Sequence, residues 1–175
     1  MELRGNRGEW SELYALLKLL ADGRLYCGDA SQNRQDDRFF PILKIFRNDQ
    51  IDRTAYTVNA AKKEILVSRT NDCTIDVSQE EMQTKAHSIL NVIKTHTGTF
   101  DIPEIHNFLE RIDCKTIKAK STDKADIRIV IHDLNTGSKP ELGYSIKSKL
   151  GGNSTLINAN KDLSLIHISE PTRRS

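Results

Sequence analysis

Apolar positions follow two rhythms along this chain, one helical and one alternating, and each stretch keeps to one of them. From Gly8 to Ala21, GEWSELYALLKLLA places Trp10, Leu13, Leu17 and Leu20 three and four residues apart, which predicts an amphipathic helix. Asp22-Gly23 ends it. Between Arg38 and Ser68 the runs RFFPILKIF, RTAYTV and EILVS are rich in β-branched and aromatic residues and separated by polar turns, so a small antiparallel meander is expected. Ser78, followed three positions later by Glu81, is a capping-box signature for a helix reaching about His96, with Met82, Ala86, Ile89, Leu90 and Ile93 turned inward. A shorter helix should follow Pro103, carrying Ile105, Phe108, Leu109 and Ile112. No internal repeat or low-complexity linker interrupts the pattern, and one domain is expected.

The stretch from Lys115 to Leu150 carries the chemistry. TIKAKS (116–121) reads as a strand. ADIRIVIHD (125–133) alternates Ile127, Ile129 and Ile131 against Asp126, Arg128, Val130 and His132, and LGYSIKS (142–148) is a further strand. The turn-rich LNTGSKPE between the last two suits an antiparallel hairpin. If Asp133 pairs with Pro140, Asp126 falls opposite Lys147, with the two Cβ atoms roughly 5 Å apart. Ser145, two residues before Lys147, then shares their face. A carboxylate at a sheet edge, joined by a second acidic group, can hold Mg²⁺ against a phosphate oxygen, while a nearby Lys positions or deprotonates the attacking water. On spacing alone, the ordinary reading of the same residues is a cross-strand ion pair on a surface hairpin.

Other residues are weaker candidates. Asp133 could replace Asp126 as a ligand, although Asp before a turn usually serves the backbone. His132 shares the face of Asp126, and His87, His96 and His106 lie on or beside helices with no ligand-spaced partner. Ser148 and Lys149, followed by Gly151, Gly152 and Ser154, could grip a phosphate backbone or form a plain polar loop. Lys62-Lys63 reads as a solvated turn.

Composition narrows the class. With 175 residues, 37% hydrophobic and 29% charged, the chain can bury one core, which excludes a disordered tail, a collagen-like chain and a repeat array. Lys+Arg 26 against Asp+Glu 24 leaves a net charge of +2, so any basic patch must be local. Cys27, Cys73 and Cys114 are odd in number and widely spaced, and the N-terminus has no apolar stretch that could serve as a signal. A reducing cytoplasm, with neither disulfide framework nor cysteine-zinc site, is expected. Apolar runs fall far short of the roughly 20 residues of a membrane span.

The tail is a separate matter. Leu163 to Arg173 spells LSLIHISEPTR, which resembles the conceptual translation of a transposase adapter used in preparing sequencing libraries. The expected division is therefore 1–162, the N-terminal part of a longer domain, and 163–175, a non-native tail, the alternative being a short native strand LSLIHI. His167 is excluded from any ligand set.

GNRGEWSELYALLKLLADGRLY at the start, then KADIRIVIHDLNTG and LGYSIKSKLGGNSTLINA near the end, resemble the HpaII family of type II restriction endonucleases. GYSIKSKLG with its STLINA continuation is the specific part, and the resemblance runs through roughly residues 5 to 160. It implies an α/β (α+β) fold of the PD-(D/E)xK restriction-endonuclease type, a mixed sheet flanked by helices and here incomplete. It implies a prokaryotic, cytoplasmic, Mg²⁺-dependent enzyme that cuts double-stranded DNA at a short palindrome (CCGG for the enzyme that names the family). A cognate methyltransferase would belong to the same restriction-modification system. Two cuts on a palindrome are most simply made by a homodimer, although sequential nicking by a monomer stays open.

Carried over residue by residue, Asp126 takes the metal-binding aspartate position of the pattern, with Ala125 where its name has proline, and Lys147 takes the lysine position. Ser145 stands where most such nucleases have Glu or Asp, and a hydroxyl cannot supply the second negative charge. That charge would come from Glu9 or Glu12 on the first helix, three apart on one face, or from a residue beyond Asp162. Glu12 is preferred as catalytic and metal-binding residue, since Glu9 lies in the first turn, where a carboxylate complements the helix dipole. The chain as it stands is expected to be inactive.

Overall fold

The computed structural model describes residues 3–31, 33–48, 53–68, 74–117 and 125–148, with the backbone alone of 163–168. Strand β1 (Arg4–Asn6) feeds directly into helix α1 (Arg7–Asp22). Asn6 is its N-cap: its side chain accepts from the N–H of Glu9 at 3.1 Å, and the Glu9 carboxylate accepts from the N–H of Asn6 at 2.9 Å. The two bonds satisfy donors that a helix start leaves open. At the other end Gly23 takes φ +60° and donates to Leu19 O at 2.9 Å, a left-handed cap that a side chain would strain.

After α1 come β2 (Arg24–Gly28), β3 (Arg34–Asn48), β4 (Arg53–Asn59), β5 (Glu64–Ser68) and β6 (Thr74–Ser78). Helix α2 (Gln79–Thr95), β7 (Thr99–Asp101), a 3₁₀ turn (Pro103–Ile105) and helix α3 (His106–Arg111) follow. The described chain closes with β8 (Ile127–Ile131), β9 (Glu141–Ser148) and β10 (Leu163–Ile168). The main sheet runs β10-β9-β8-β3-β4-β5-β6, with β2 also paired to β3, while β1 and β7 form a separate antiparallel pair. Every pairing in the main sheet is antiparallel except that of β10 with β9. The α+β fold, a large sheet flanked by helices, is as expected, while its one parallel pairing comes from β10, inside the segment 163–175 expected to be non-native.

Alternation along the strands explains how the layers meet. Ile45, Tyr56, Ile65, Ile127, Ile129 and Ile146 turn to one face and are almost fully buried. α1 and α2 pack side by side over that face, α1 contributing Trp10, Leu13, Leu17 and Leu20, each 1% exposed or less. At about 1.5–3 kcal/mol for each large apolar side chain buried, this layer is the main favourable term of the fold. Ser78 caps α2 by accepting from Glu81 N at 3.1 Å, and Met82, Ala86, Ile89, Leu90 and Ile93 are its buried residues, as the pattern predicts. Ile105, Phe108, Leu109 and Ile112 are buried as well.

Two expectations change. Thr116 and Ile117 are not part of a strand, and 118–121 of the anticipated TIKAKS strand lie outside the described residues. The β8–β9 hairpin pairs Val130 with Glu141 and Ile127 with Tyr144, two residues tighter than pairing Asp133 with Pro140 would give. The turn sets this register. Asp133 N donates to Ser138 O at 3.0 Å and Gly137, at φ +72°, donates to Asp133 O at 2.8 Å, while Pro140 has no N–H for the ladder. No described helix is long and apolar enough to cross a membrane.

Candidate functional site

With the tighter register, Asp126 stands opposite Ser145 rather than Lys147. A shift of two residues keeps every side chain on its face, so Asp126, Ser145 and Lys147 remain together on the side away from α1. β8 begins at Ile127, and Asp126 sits in the bend just before it, its N–H still donating to Tyr144 O at 2.9 Å. Its carboxylate occupies the place where the next ladder bond would form. Oδ2 accepts from Ile146 N at 2.6 Å and from Ser145 Oγ at 3.1 Å. Ser145 is itself buried, at 7% exposure. Ser145 therefore orients the carboxylate instead of replacing it. No described residue donates to Oδ1, which is left as a hard anionic oxygen at the strand end. Lys147, half-buried, lies along β9 past the last position paired with β8, where its backbone partner is His167 of β10.

The second carboxylate is less defined. Glu9 is engaged in the capping box, so its placement follows the helix start. Glu12 is half-buried one residue along from Ser11, whose hydroxyl is 3.1 Å from Ser148 Oγ and bonds Arg7 O at 2.7 Å. This contact fastens α1 across the far end of β9, just past Lys147. Among the described residues no group of three His, Cys, Asp or Glu side chains lies close enough to hold a metal. Asp126 Oδ1 fits a divalent cation as one ligand, and a partner carboxylate is needed to complete the charge.

The remaining candidates have local roles. Ser148 turns toward α1, onto the face opposite Lys147, and Lys149 lies outside the described residues. Asp133 accepts from Asn135 N at 2.9 Å, and the bonds from Asn135 and Thr136 hold its carboxyl below the usual range. It is a turn residue. His132 donates its N–H to Pro41 O at 2.9 Å; His106 meets Asp101 at 2.6 Å and His87 meets Gln83 at 3.2 Å. Lys62 lies in the β4–β5 turn, its N–H bonded to Asn59 at 3.2 Å. Neither Cys27 nor Cys114 is in a disulfide.

Sequence reasoning missed a buried polar network behind the site. Arg47, 3% exposed, alternates onto the apolar face of β3 and bonds the Cys114 sulfur, Thr116 O at 2.6 Å and Ile117 O at 2.7 Å. Nearby, Thr54 Oγ1 donates to Asp113 Oδ2 and Tyr56 OH to Ile112 O, both at 3.2 Å. An Arg at an inward position of an apolar strand was the available signal. It pins the segment after α3 to the sheet.

Tyr144, beside Ser145 on the buried face, has its phenol pushed up to about 12, first by burial and then by the nearby Cys27. The folded state thus holds this proton more tightly than the unfolded chain, whose phenol titrates near 10. The stability contributed is full below about pH 10 and lost as pH rises toward 12. Urea melts of the wild type and Tyr144→Phe between pH 8 and 12 should show a steeper alkaline loss in the wild type. Parallel curves would contradict the burial of this ring.

Comparison with known proteins adds to this geometry. A family model described as HpaII restriction endonuclease matches residues 6–172. The type II restriction enzyme HpaII of Haemophilus parainfluenzae is 45% identical over 160 residues, covering 90% of this chain and 44% of that enzyme. The chain thus spans less than half the length of this relative. No solved structure matches.

Proposed function

Because this chain belongs to the HpaII restriction endonuclease family, we propose that its enzyme hydrolyses phosphodiester bonds of double-stranded DNA at a short palindrome, CCGG if it follows HpaII. The observation that carries the chemical assignment is the Asp126 carboxylate, fixed through Oδ2 by Ser145 and Ile146 and open at Oδ1. Asp126 would hold Mg²⁺, the divalent ion whose size and hardness suit carboxylate and phosphate oxygens; α1, which carries the expected Glu12, packs on the face opposite Lys147, so the second carboxylate would come from a residue beyond Asp162. Bound there, the ion supplies Lewis acidity toward the phosphoryl oxygens. Lys147 orients the attacking water and offers its charge to the pentacoordinate phosphorus. As the water oxygen bonds phosphorus, the bond to the leaving oxygen breaks; the attacking water gives its proton to solvent, and the leaving oxygen takes one from solvent to become the free hydroxyl. Ser145 keeps Asp126 in one rotamer through the cycle, and Lys149 grips the neighbouring backbone; Ser148, held by Ser11 on the opposite face, does not join it.

The partners follow from the substrate: duplex DNA, a second copy related by the twofold axis of a palindrome, and a methyltransferase that protects the host's own sites. A prokaryotic cytoplasm is the compartment proposed. Residues 163–175 are proposed as non-native, and the natural reading frame should differ from this one after Asp162.

The test is a supercoiled plasmid incubated with the enzyme from the complete reading frame, in Mg²⁺ and in EDTA. Double-strand cutting confined to Mg²⁺ is expected, with no cutting by the 175-residue chain. Retained DNA binding without cutting in either condition would instead indicate a decayed nuclease.

A further inference from the structure

The sheet face away from the helices is polar, and its charge is divided. Lys44, Arg53 and Arg128 lie on the half next to Asp126, while Glu64 and Asp76 lie on β5 and β6 at the far side. A sheet covered on both faces by protein reads as continuous apolar runs, so this alternation suits water or a charged partner. In the basic half, Phe46 forms a floor: the Arg53 guanidinium stands 3.8 Å from its ring centre and the Lys44 ammonium 5.6 Å. Arg53 and Arg128 converge on one oxygen of Glu141, at 2.7 and 3.9 Å. All three are well exposed, where ion pairs contribute little to stability. Two guanidinium groups around one oxyanion is, however, the arrangement that takes a phosphate.

We propose that Arg53 and Arg128 form a clamp for the phosphate backbone of duplex DNA, and that Glu141 occupies it in the free protein until a phosphate displaces it. This rests on the nuclease reading above and extends it to the DNA path. Arg128 is two residues from Asp126 on the same face, and Glu141 precedes Ser145 by four. At about 3.4 Å per strand residue the clamp lies roughly 14 Å from Ser145. The clamp takes a phosphate flanking the scissile one.

Binding of a fluorescein-labelled 24-bp duplex containing CCGG is measured with the complete reading frame in EDTA, over a series of salt concentrations. Glu141→Gln removes the competing charge and should tighten binding by about threefold or more. Arg128→Ala and Arg53→Ala should weaken it, each making the slope of log K against log salt shallower by about 1. Thr57→Lys, beside Lys44 on the same face, should tighten binding and keeps the test alive if an arginine variant fails to fold. Glu141→Gln and Arg128→Ala binding as wild type, in an enzyme that still cuts, would overturn the clamp and leave the nuclease standing. A wild type that neither binds nor cuts would remove both. A change in sedimentation with Arg128→Ala and none in DNA affinity would assign the face to a second copy and also overturn the clamp.

Discussion

Asp126→Asn is expected to abolish cleavage while leaving the fold nearly intact. The amide keeps an oxygen that can accept from Ile146 N and Ser145 Oγ, so the bend just before β8 survives. What it loses is the negative charge at Oδ1, and with it the electrostatic hold on a divalent ion. An interaction supplying several kcal/mol of transition-state stabilisation corresponds to a loss of about 10³-fold or more in kcat. Asp126→Ala should be equally inactive but less stable, by about 1–3 kcal/mol, because Ile146 N is then a partly buried donor without its acceptor. Lys147→Ala, at a half-buried position beyond the pairing with β8, should fold normally and lose about 10²-fold or more. Plasmid cleavage and thermal melts on the same preparations decide the matter. An Asp126→Asn enzyme cutting within tenfold of the wild type would remove the carboxylate from the mechanism.

Periodic burial was legible in the sequence. Trp10, Leu13, Leu17 and Leu20, and Met82 through Ile93, announce their helices because helix geometry repeats within a few residues. The strands between Arg34 and Ser68, and the pair β8 and β9, were equally readable from β-branched runs and turns. The exact register of β8 on β9 was not, since it depends on which backbone groups of the LNTGSKPE turn find partners. Sequence parity nevertheless placed Asp126, Ser145 and Lys147 on one face correctly, because the shift was an even one.

Features made by distant segments stayed hidden. β1 and β7 pair across almost the whole length of α1 and α2, and three-residue strands leave no periodicity to read. β2 and β6 have five residues each, and their pairing is decided by the neighbours β3 and β5. The bond from Ser145 to Asp126 turned an apparent defect of the motif, a hydroxyl where a carboxylate is usual, into an orienting contact. The convergence of Arg53 and Arg128 on Glu141 joins β4 to the β8–β9 hairpin, far apart in the chain, so no local pattern could reveal it.

Trp10→Ala should be the most destabilising single change in the first helix, at about 3–5 kcal/mol. Trp10 is fully buried, its ring stacked on Phe100 at 6.0 Å between centroids, and its Nε1 donates to Phe100 O at 3.2 Å. Phe100 is also the β7 partner of Gly5, next to the residue that caps α1. One strand therefore holds the helix twice, through β1 and through the indole. Trp10→Phe retains a ring but not the donor and should lose less, about 1–2 kcal/mol. Because Ser11, which follows directly, meets Ser148 next to Lys147 on β9, loosening this anchor should lower cleavage in the Phe variant more than its melting point suggests. As the chain's sole tryptophan, Trp10 reports its own environment, and urea unfolding of the wild type should red-shift its emission. A wild type already emitting as an exposed indole, or an Ala variant within about 1 kcal/mol of it, would mean that α1 is not anchored through this strand.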